Sequence, residues 1–208
     1  MKALLKSIED LKENPVKDLI DTRLREFKEI GDASNKEIFK ELCFCILTAH
    51  YNAERSMKMQ KLVGDDFLTL PKAQLAEKLK RLGHRYPDAR AEYIIAAREY
   101  KNSIKDIIGK FNNDNKLRDW FAKNIKGIGY KEASHFLRNI GYSDFAIIDF
   151  HILNVLAKHG LIEKPKTLTR RRYIEIEGLM KRIAKKARLT LAELDLYLWY
   201  TETDKVLK

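Results

Sequence analysis

The sequence predicts an all-α fold, and three observations support this prediction. Apolar residues recur along most of the chain at the spacing of three and four that places them on one face of a helix. Most of the nine glycines and four prolines stand at the ends of these runs, where such residues begin or end helices. The one candidate strand, Phe145–Ile148, is short and has no second strand pattern to pair with.

Proline, glycine and capping residues place the helices in the first half of the chain. Pro15 precedes one amphipathic run and Gly31 follows it, which is the usual asymmetry of helix ends. Ser34 and Glu37 have the spacing of a capping box. The predicted helices are Val16–Ile30, Ile38–Ala49, Asn52–Val63, Lys72–Leu82 and a long run from Pro87 to about Lys110.

The second half of the chain continues the helical pattern. Asp114 is predicted to cap the helix that follows it, because a short acidic side chain accepts hydrogen bonds from the free amides of a helix start. The predicted helices here are Lys116–Asn124, Tyr130–Ile140, Phe150–His159, Thr169–Ala187 and Thr190–Thr203.

The charge balance favours a polyanionic partner. The chain has 41 lysines and arginines against 30 aspartates and glutamates, a formal net charge of +11, and a basic protein gains affinity for nucleic acid by releasing counterions. The charge alone also fits a soluble protein that is merely highly charged. No apolar run reaches the length of a membrane helix and the first residues lack a signal-peptide layout. We therefore expect no membrane association and an intracellular location, cytoplasmic or nucleoid-associated.

The two cysteines are predicted to be structural. Cys43 and Cys45 lie inside an apolar run, as small buried residues do in a reducing compartment. Two cysteines cannot ligate a four-cysteine iron–sulfur cluster, and no Cys/His spacing typical of zinc is present. We therefore expect no iron–sulfur cluster, no metal and no other cofactor.

The most informative stretch is a Gly-x-Gly turn, Gly127 to Gly129, followed at once by an amphipathic segment. Glycines allow a tight turn and let the backbone approach a phosphate without a Cβ in the way. The helix that follows offers its N-terminal amides to the same anion. The pattern predicts a helix-hairpin-helix DNA-binding motif in which Gly127 and Gly129 contact the DNA backbone.

Lys131 and Asp149 are the candidate catalytic pair. Lys131 lies at the start of the helix after the turn, where the helix dipole disfavours an ammonium and favours the neutral amine that can attack a sugar. Asp149 precedes the next helix, from which its carboxylate could stabilise positive charge on that sugar. Each residue alone has a simpler interpretation, as a phosphate-binding lysine and as a helix cap. Their joint position after a glycine hairpin favours catalysis.

The stretch Phe121–Leu156 resembles the helix-hairpin-helix plus Asp signature of the endonuclease III superfamily of DNA glycosylases. In that superfamily the lysine follows the Gly-x-Gly turn by two positions and the Asp lies eighteen residues later in an apolar-Asp-x-His element. Lys131 and Asp149 match both positions. The missing cysteine cluster argues against the members of the superfamily that carry one.

Within that superfamily the chain resembles the type-2 8-oxoguanine DNA glycosylase/AP lyases. The resemblance rests on the short length of the chain, on the sequence of Asn124–Ile140 and on the C-terminal residues, Leu194–Tyr200 followed by Val206-Leu207-Lys208. It implies one glycosylase unit over 1–208, with two helical subdomains and an interdomain cleft that binds DNA. The subdomains would span approximately 31–140, including the hairpin, and 1–30 plus 141–208.

The resemblance also implies roles for individual residues. Lys131 would be the Schiff-base nucleophile and Asp149 the catalytic carboxylate. Lys208 would approach the flipped base, through its terminal carboxylate. Trp199 would form an aromatic wall of the base pocket, although a core tryptophan on the last helix fits the sequence equally well.

Two polar turns are candidates for contacts with the duplex. The turn that contains His50, Asn52 and Arg55 is similar to the superfamily's loop that fills the space left by a flipped nucleotide, and Arg55 would read the opposite base. Asn52 also fits a plain helix cap. The second exposed turn, His84-Arg85-Tyr86-Pro87, offers Tyr86 as a wedge in the base stack, or as a tyrosine that packs on its own helix.

These inferences predict a bifunctional DNA repair enzyme, a DNA N-glycosylase and AP lyase that excises 8-oxoguanine from duplex DNA. The expected partner is duplex DNA that contains oxidised guanine, and the expected state is a monomer. One alternative keeps the chemistry but changes the lesion to another oxidised base. A second alternative is a non-catalytic helix-hairpin-helix DNA-binding module, which would not need a lysine–aspartate pair.

Overall fold

The computed structural model describes residues 1–208 and contains thirteen α-helices, one 3-10 helix and no strand. The all-α prediction is confirmed. None of the helices combines the length and apolar character needed to cross a bilayer. The α-helices are α1 Lys2–Lys12, α2 Val16–Asp32, α3 Asn35–Thr48, α4 Ala53–Val63, α5 Asp66–Thr69, α6 Lys72–Arg81, α7 Pro87–Ala97, α8 Ile104–Gly109, α9 Asp114–Asn124, α10 Tyr130–Asn139, α11 Phe150–Lys158, α12 Arg170–Ala187 and α13 Leu191–Thr203.

The chain folds into two compact units. The terminal unit consists of Met1–Glu29 and Leu137–Lys208, and the central unit of Ile30–Phe136. The central unit therefore carries the predicted hairpin turn and Lys131, whereas the terminal unit carries Asp149 and the chain end.

The central unit is built around α3. This helix packs against α4, α5, α7 and α8, while α6 packs against α7. Nearly every residue of α3 from Ile38 onward is buried, including both cysteines. Burial raises the pKa of the Cys43 thiol, because a thiolate would lose its hydration in this apolar setting. The prediction that the cysteines are small buried residues is confirmed.

The terminal unit is organised around α13. This helix packs against α11 and α12, and α1 packs against both α12 and α13. Two of its residues pack with three apolar residues of α2 in a buried cluster. The members of the cluster are Val16, Ile20, Phe27, Leu196 and Tyr197. The apolar periodicity of α2 and α13 thus reflects a shared core.

Several predicted helix boundaries differ from the structure, and α3 begins at Asn35 rather than Ile38. Helix α2 continues through Gly31 to Asp32. The long run from Pro87 breaks after α7 into a 3-10 turn and then α8. Asn35 accounts for the break between α7 and α8. Its Oδ1 accepts a hydrogen bond from Lys105 N at 2.9 Å, and its Nδ2 donates to Asn102 O at 2.8 Å. A side chain from α3 therefore caps the start of α8, in a stretch where the local sequence predicts one continuous helix.

Two predicted caps also differ from the structure. Asn113, not Asp114, caps α9, with its Oδ1 accepting from Lys116 N at 3.0 Å. Ser34 caps α3 by accepting from Glu37 N at 3.4 Å. The complete capping box lies instead at the start of α13, where Thr190 and Glu193 each bind the other's backbone amide.

The candidate strand Phe145–Ile148 is instead a buried segment without regular secondary structure. Side chains satisfy its backbone instead. Tyr173 of α12 donates its hydroxyl to Ala146 O at 2.7 Å and accepts from Ile148 N at 3.3 Å. Asp195 of α13 accepts from Ile147 N at 2.9 Å through Oδ1. Buried backbone groups require such partners, so these two side chains make the burial of this segment possible.

Asp195 is itself held by a buried ion pair. Its Oδ2 lies 2.6 Å from Arg138 Nη1, and both side chains are almost completely buried. Burial nevertheless raises the pKa of Asp195 from 3.8 to about 6, because the loss of hydration outweighs the attraction of Arg138. The carboxylate is ionised at neutral pH at a cost to the stability of the fold.

This cost predicts a specific pH dependence of stability. The folded protein binds the Asp195 proton more tightly than the unfolded chain, so the contribution of this group is most favourable below about pH 4 and decreases as the pH rises to about 6. Urea unfolding of the wild type and of Asp195→Asn should show that the stability difference between them falls over this range by roughly 2–3 kcal/mol. A difference that is constant or that rises with pH would contradict this assignment.

Candidate active site and DNA-binding loops

The hairpin turn between α9 and α10 depends on Gly127. This residue has φ +83°, in the left-handed region that favours glycine. A Cβ added there would lie 2.2 Å from the ring of Tyr93 on α7, a distance that no real contact has. Both the conformation and the packing therefore require glycine at 127.

Gly129 has a different role from Gly127, because its backbone is not left-handed. Its carbonyl accepts from Ala133 N at 2.9 Å, which places it at the cap of α10. Its amide donates to Glu132 Oε2 at 3.2 Å, and an added Cβ would lie 3.0 Å from that oxygen. An internal carboxylate thus occupies the first amide at this helix start, which is the kind of position that binds anions.

Lys131 is the second residue of α10 and is partly exposed. Its Nζ lies 3.1 Å from Glu132 Oε1, so the same glutamate contacts both the hairpin amide and the candidate nucleophile. Glu132 was not among the predicted site residues. Its only sequence signal is its position as an acidic residue in the first turn of α10.

Arg118 joins the two helices of the hairpin. Its guanidinium lies over the Tyr130 ring at 4.2 Å, and its Nη1 donates to Ser134 Oγ at 3.1 Å. Both partners belong to α10, whereas Arg118 lies on α9 and is buried. Arg118 was not among the predicted residues either, because an arginine on an amphipathic helix usually faces solvent.

Asp149 has both of its carboxylate oxygens fixed. Oδ1 caps α11 by accepting from Ile152 N at 3.0 Å, and Oδ2 accepts from Trp199 Nε1 at 3.3 Å. The capping interpretation of Asp149 is therefore correct. A cap that is also held by an indole is rigid, and its charge remains available to a neighbouring cation.

Trp199 belongs to a small aromatic group beside Asp149. Its indole meets the His151 ring edge to face at 5.4 Å, and the His151 ring lies 3.8 Å from that of Phe150. Trp199 is only partly buried, so it is not a simple core tryptophan. Phe150 is 60% exposed. The start of α11 therefore presents an aromatic surface next to a fixed carboxylate.

All three residues predicted to bind DNA at the turn between α3 and α4 and the start of α4 are exposed. His50 has φ +56°, an uncommon conformation for a residue with a side chain, and both His50 and Arg55 are exposed. Asn52 caps α4 by accepting from Arg55 N at 2.9 Å. This cap accounts for an asparagine at position 52 whether or not the turn binds DNA. The cap uses the side-chain oxygen and leaves the amide nitrogen of Asn52 outside it.

His84 is not part of an exposed turn, as the sequence suggested, because it is 5% exposed. Its Nε2 lies 3.1 Å from Leu47 O, its Nδ1 accepts from Tyr86 N at 3.0 Å, and Tyr51 stacks on the ring. Burial lowers the pKa of His84, which agrees with a neutral ring that accepts at Nδ1. This histidine ties the turn after α3 to the turn before α7.

Tyr86 is 40% exposed beside two arginines. The guanidinium carbons of Arg85 and Arg90 lie 5.1 Å and 5.8 Å from its ring centroid. Arg90 also donates to Ala49 O, which is a second link between the two turns. Within the central unit, the turns that carry His50 and Tyr86 therefore lie together.

The chain end is anchored to the terminal unit. Asp204 ends α13 in a left-handed conformation, φ +53°, and Val206 packs against the buried cluster that contains Phe27 and Tyr197. Lys208 is partly buried. The last residues of a domain usually bury little, but here the loss of Val206 would remove a contact of the core.

Comparisons with known proteins identify the family of the chain. The family model described as 8-oxoguanine DNA glycosylase matches residues 20–189. The 8-oxoguanine DNA glycosylase/AP lyase of Methanocaldococcus jannaschii is 57% identical over 206 residues, with 99% of each chain covered. The protein of the same name from Korarchaeum cryptofilum is 49% identical, with 99% of this chain and 98% of the relative covered.

Solved structures give the same result. The crystal structure of the Methanocaldococcus jannaschii glycosylase/lyase in complex with a 15mer DNA containing 8-oxoguanine matches with a TM-score of 0.96 and 56% identity, over 99% of this chain and 100% of that one. The 8-oxoguanine DNA glycosylase of Thermotoga maritima matches with a TM-score of 0.93 and 41% identity, over the full length of both chains. The chain therefore belongs to the 8-oxoguanine DNA glycosylase family.

Proposed function

We propose that this protein excises 8-oxoguanine from duplex DNA and then cleaves the strand at the abasic site. The observation that carries the proposal is the pair of Lys131, at the start of the hairpin helix, and Asp149, whose two oxygens are both fixed. Relatives that are 57% and 49% identical over nearly the whole chain bear the name 8-oxoguanine DNA glycosylase/AP lyase.

In this proposal Lys131 supplies the nucleophile. Its neutral amine attacks C1′ of the damaged nucleotide, and the C1′–N bond to the base breaks as the C1′–N bond to lysine forms. The C1′–O4′ bond then breaks, O4′ takes up a proton, and the nitrogen lone pair forms the C=N bond of a Schiff base. Removal of a 2′ proton from this Schiff base expels the 3′ phosphate by β-elimination. In the DNA-free protein the amine lies in an ion pair with Glu132, so it must leave this contact before it reacts.

Asp149 is proposed to stabilise the positive charge that develops on the sugar. A carboxylate that is already oriented does this without reorganisation during the reaction. The bonds from Ile152 N and Trp199 Nε1 supply that orientation. Neither bond neutralises the charge, because both partners are neutral donors.

The proposed DNA contacts come from three segments. Gly127 and Gly129 would contact a phosphate through the hairpin backbone. His50, Asn52 and Arg55 would enter the space left by the flipped nucleotide, and Tyr86 would wedge beside it. The exposure of His50, Arg55 and Tyr86 supports this assignment. Trp199 and Lys208 are proposed to contact the flipped base.

A substitution of the nucleophile tests the chemistry. Lys131→Gln should abolish borohydride trapping of a covalent complex on 8-oxoguanine duplex, because the amine is lost, while lesion binding persists on the remaining basic surface. Lys80→Gln, which removes an exposed lysine from α6, should trap like the wild type. Efficient trapping by Lys131→Gln would place the nucleophile elsewhere. A panel of duplexes with other oxidised bases in the same assay would show whether the lesion assignment is too narrow.

A substitution in the turn tests the phosphate contact. Gly127→Ala places a Cβ against Tyr93 in a backbone conformation that alanine rarely adopts, and strain of this kind corresponds to roughly a tenfold loss of affinity. The loss should be equal for damaged and undamaged duplex in a fluorescence anisotropy titration, since phosphate contacts carry no lesion information. Gly109→Ala, where an added Cβ meets nothing within 4 Å, is the matched control. A loss confined to lesion DNA would contradict this role.

Removal of Lys208 alone tests base recognition by the chain end. The deletion spares Val206, which packs in the core. It should reduce the single-turnover rate of 8-oxoguanine excision at least about tenfold more than the rate of cleavage at a preformed abasic site, which has no base to contact. Lys205→Ala removes a neighbouring lysine from the same tail and should leave the ratio of the two rates unchanged. Equal loss of both activities in the deletion variant would leave Lys208 without a role in recognition.

A further inference from the structure

We propose that Tyr173 and Asp195, both buried and remote from any surface, are positioning residues that fix the Asp149 carboxylate for excision. The inference rests on the proposed function of Asp149. If it is correct, α12 and α13 affect the rate of excision in addition to forming the core of the terminal unit.

Two residues of α13 bind the segment that ends at Asp149. Asp195 and Trp199 are four residues apart, so they lie on one face of the helix and about 6 Å apart along its axis. Their partners, Ile147 N and Asp149 Oδ2, belong to residues two apart in the chain, which a tight turn joins because Asp149 N donates to Ile147 O at 2.9 Å. One helix face therefore holds the segment at two points, and the second point is the carboxylate itself.

Tyr173 adds a third and a fourth contact from α12. Its hydroxyl binds Ala146 O at 2.7 Å and Ile148 N at 3.3 Å. Together with the bond from Asp195 to Ile147 N, three consecutive residues before Asp149 are held by side chains from two helices. A shift of this segment would move the Asp149 backbone with it.

The burial of these side chains limits what they can do. Tyr173 is 2% exposed, Asp195 is 1% exposed and Arg138, which holds Asp195, is 4% exposed. None of them can touch DNA in this conformation, so any effect on excision must pass through the segment. Buried polar groups cost stability unless they are paired, and apolar residues here would leave Ile147 N or Ala146 O without a partner.

Tyr173→Phe is the most conservative test, because it removes one oxygen and keeps the ring. We expect single-turnover excision of 8-oxoguanine to fall about tenfold, since a displacement on the order of 1 Å costs up to about a hundredfold. The affinity for lesion duplex should be unchanged, because the substitution touches no DNA contact. Asp195→Asn, which keeps an acceptor for Ile147 N but loses the charge, should act in the same direction.

Tyr197→Phe is the matched control. Tyr197 is also a buried tyrosine of the terminal unit, on α13, but it packs in the cluster with Val16 and Phe27 rather than on the segment. Its substitution should leave the excision rate unchanged, and thermal melting should show both phenylalanine variants folded at the assay temperature. A rate loss in Tyr197→Phe equal to that in Tyr173→Phe would overturn the inference, since the loss would then reflect the core alone.

A double-mutant cycle with Asp149→Asn decides whether Tyr173 acts through Asp149. If it does, Tyr173→Phe lowers the rate of the wild type but not that of Asp149→Asn. Equal fold losses in both backgrounds would overturn the inference and leave the role of Asp149 intact. An Asp149→Asn variant that excises at the wild-type rate would instead overturn the proposed function of Asp149 itself.

Discussion

A short segment without regular secondary structure, Phe145–Ile148, is buried among helices and determines the position of the candidate catalytic carboxylate. Its backbone groups must be paired because water cannot reach them, and Tyr173 and Asp195 supply the partners. Asp149 stands at the end of this segment and at the start of α11, where capping and the Trp199 indole fix both oxygens. Tyr173, Asp195 and Arg138 thus support the position of one carboxylate. The ionised Asp195 lowers the stability of the fold at neutral pH.

The central unit depends on a comparable constraint at the hairpin. Tyr93 packs so closely on Gly127 that no other residue fits there, which fixes the turn before α10. Glu132 then binds both the Gly129 amide and the Lys131 amine. Because a DNA phosphate would compete for the same helix start, DNA binding and the release of Lys131 from its ion pair are expected to be linked.

Local features were predictable from the sequence and distant contacts were not. The cap at Asp149 and the turn at Gly127 follow from neighbouring residues, as do most helix ends. The break between α7 and α8 could not be predicted because its cause, Asn35, lies about seventy residues away. The exposed position predicted for His84 is wrong because nothing local shows that Leu47 O and the Tyr51 ring surround it. The pairing of Arg138 with Asp195 likewise has no local signal.

Lys131 is proposed to form the covalent bond to the sugar. The most direct test is to trap the wild-type protein on 8-oxoguanine duplex with borohydride, digest the complex and locate the reduced adduct by mass spectrometry. We predict that the sugar remnant is attached to Nζ of Lys131. An adduct on the N-terminal amine or on any other lysine, with Lys131 unmodified, would show that Lys131 is not the nucleophile.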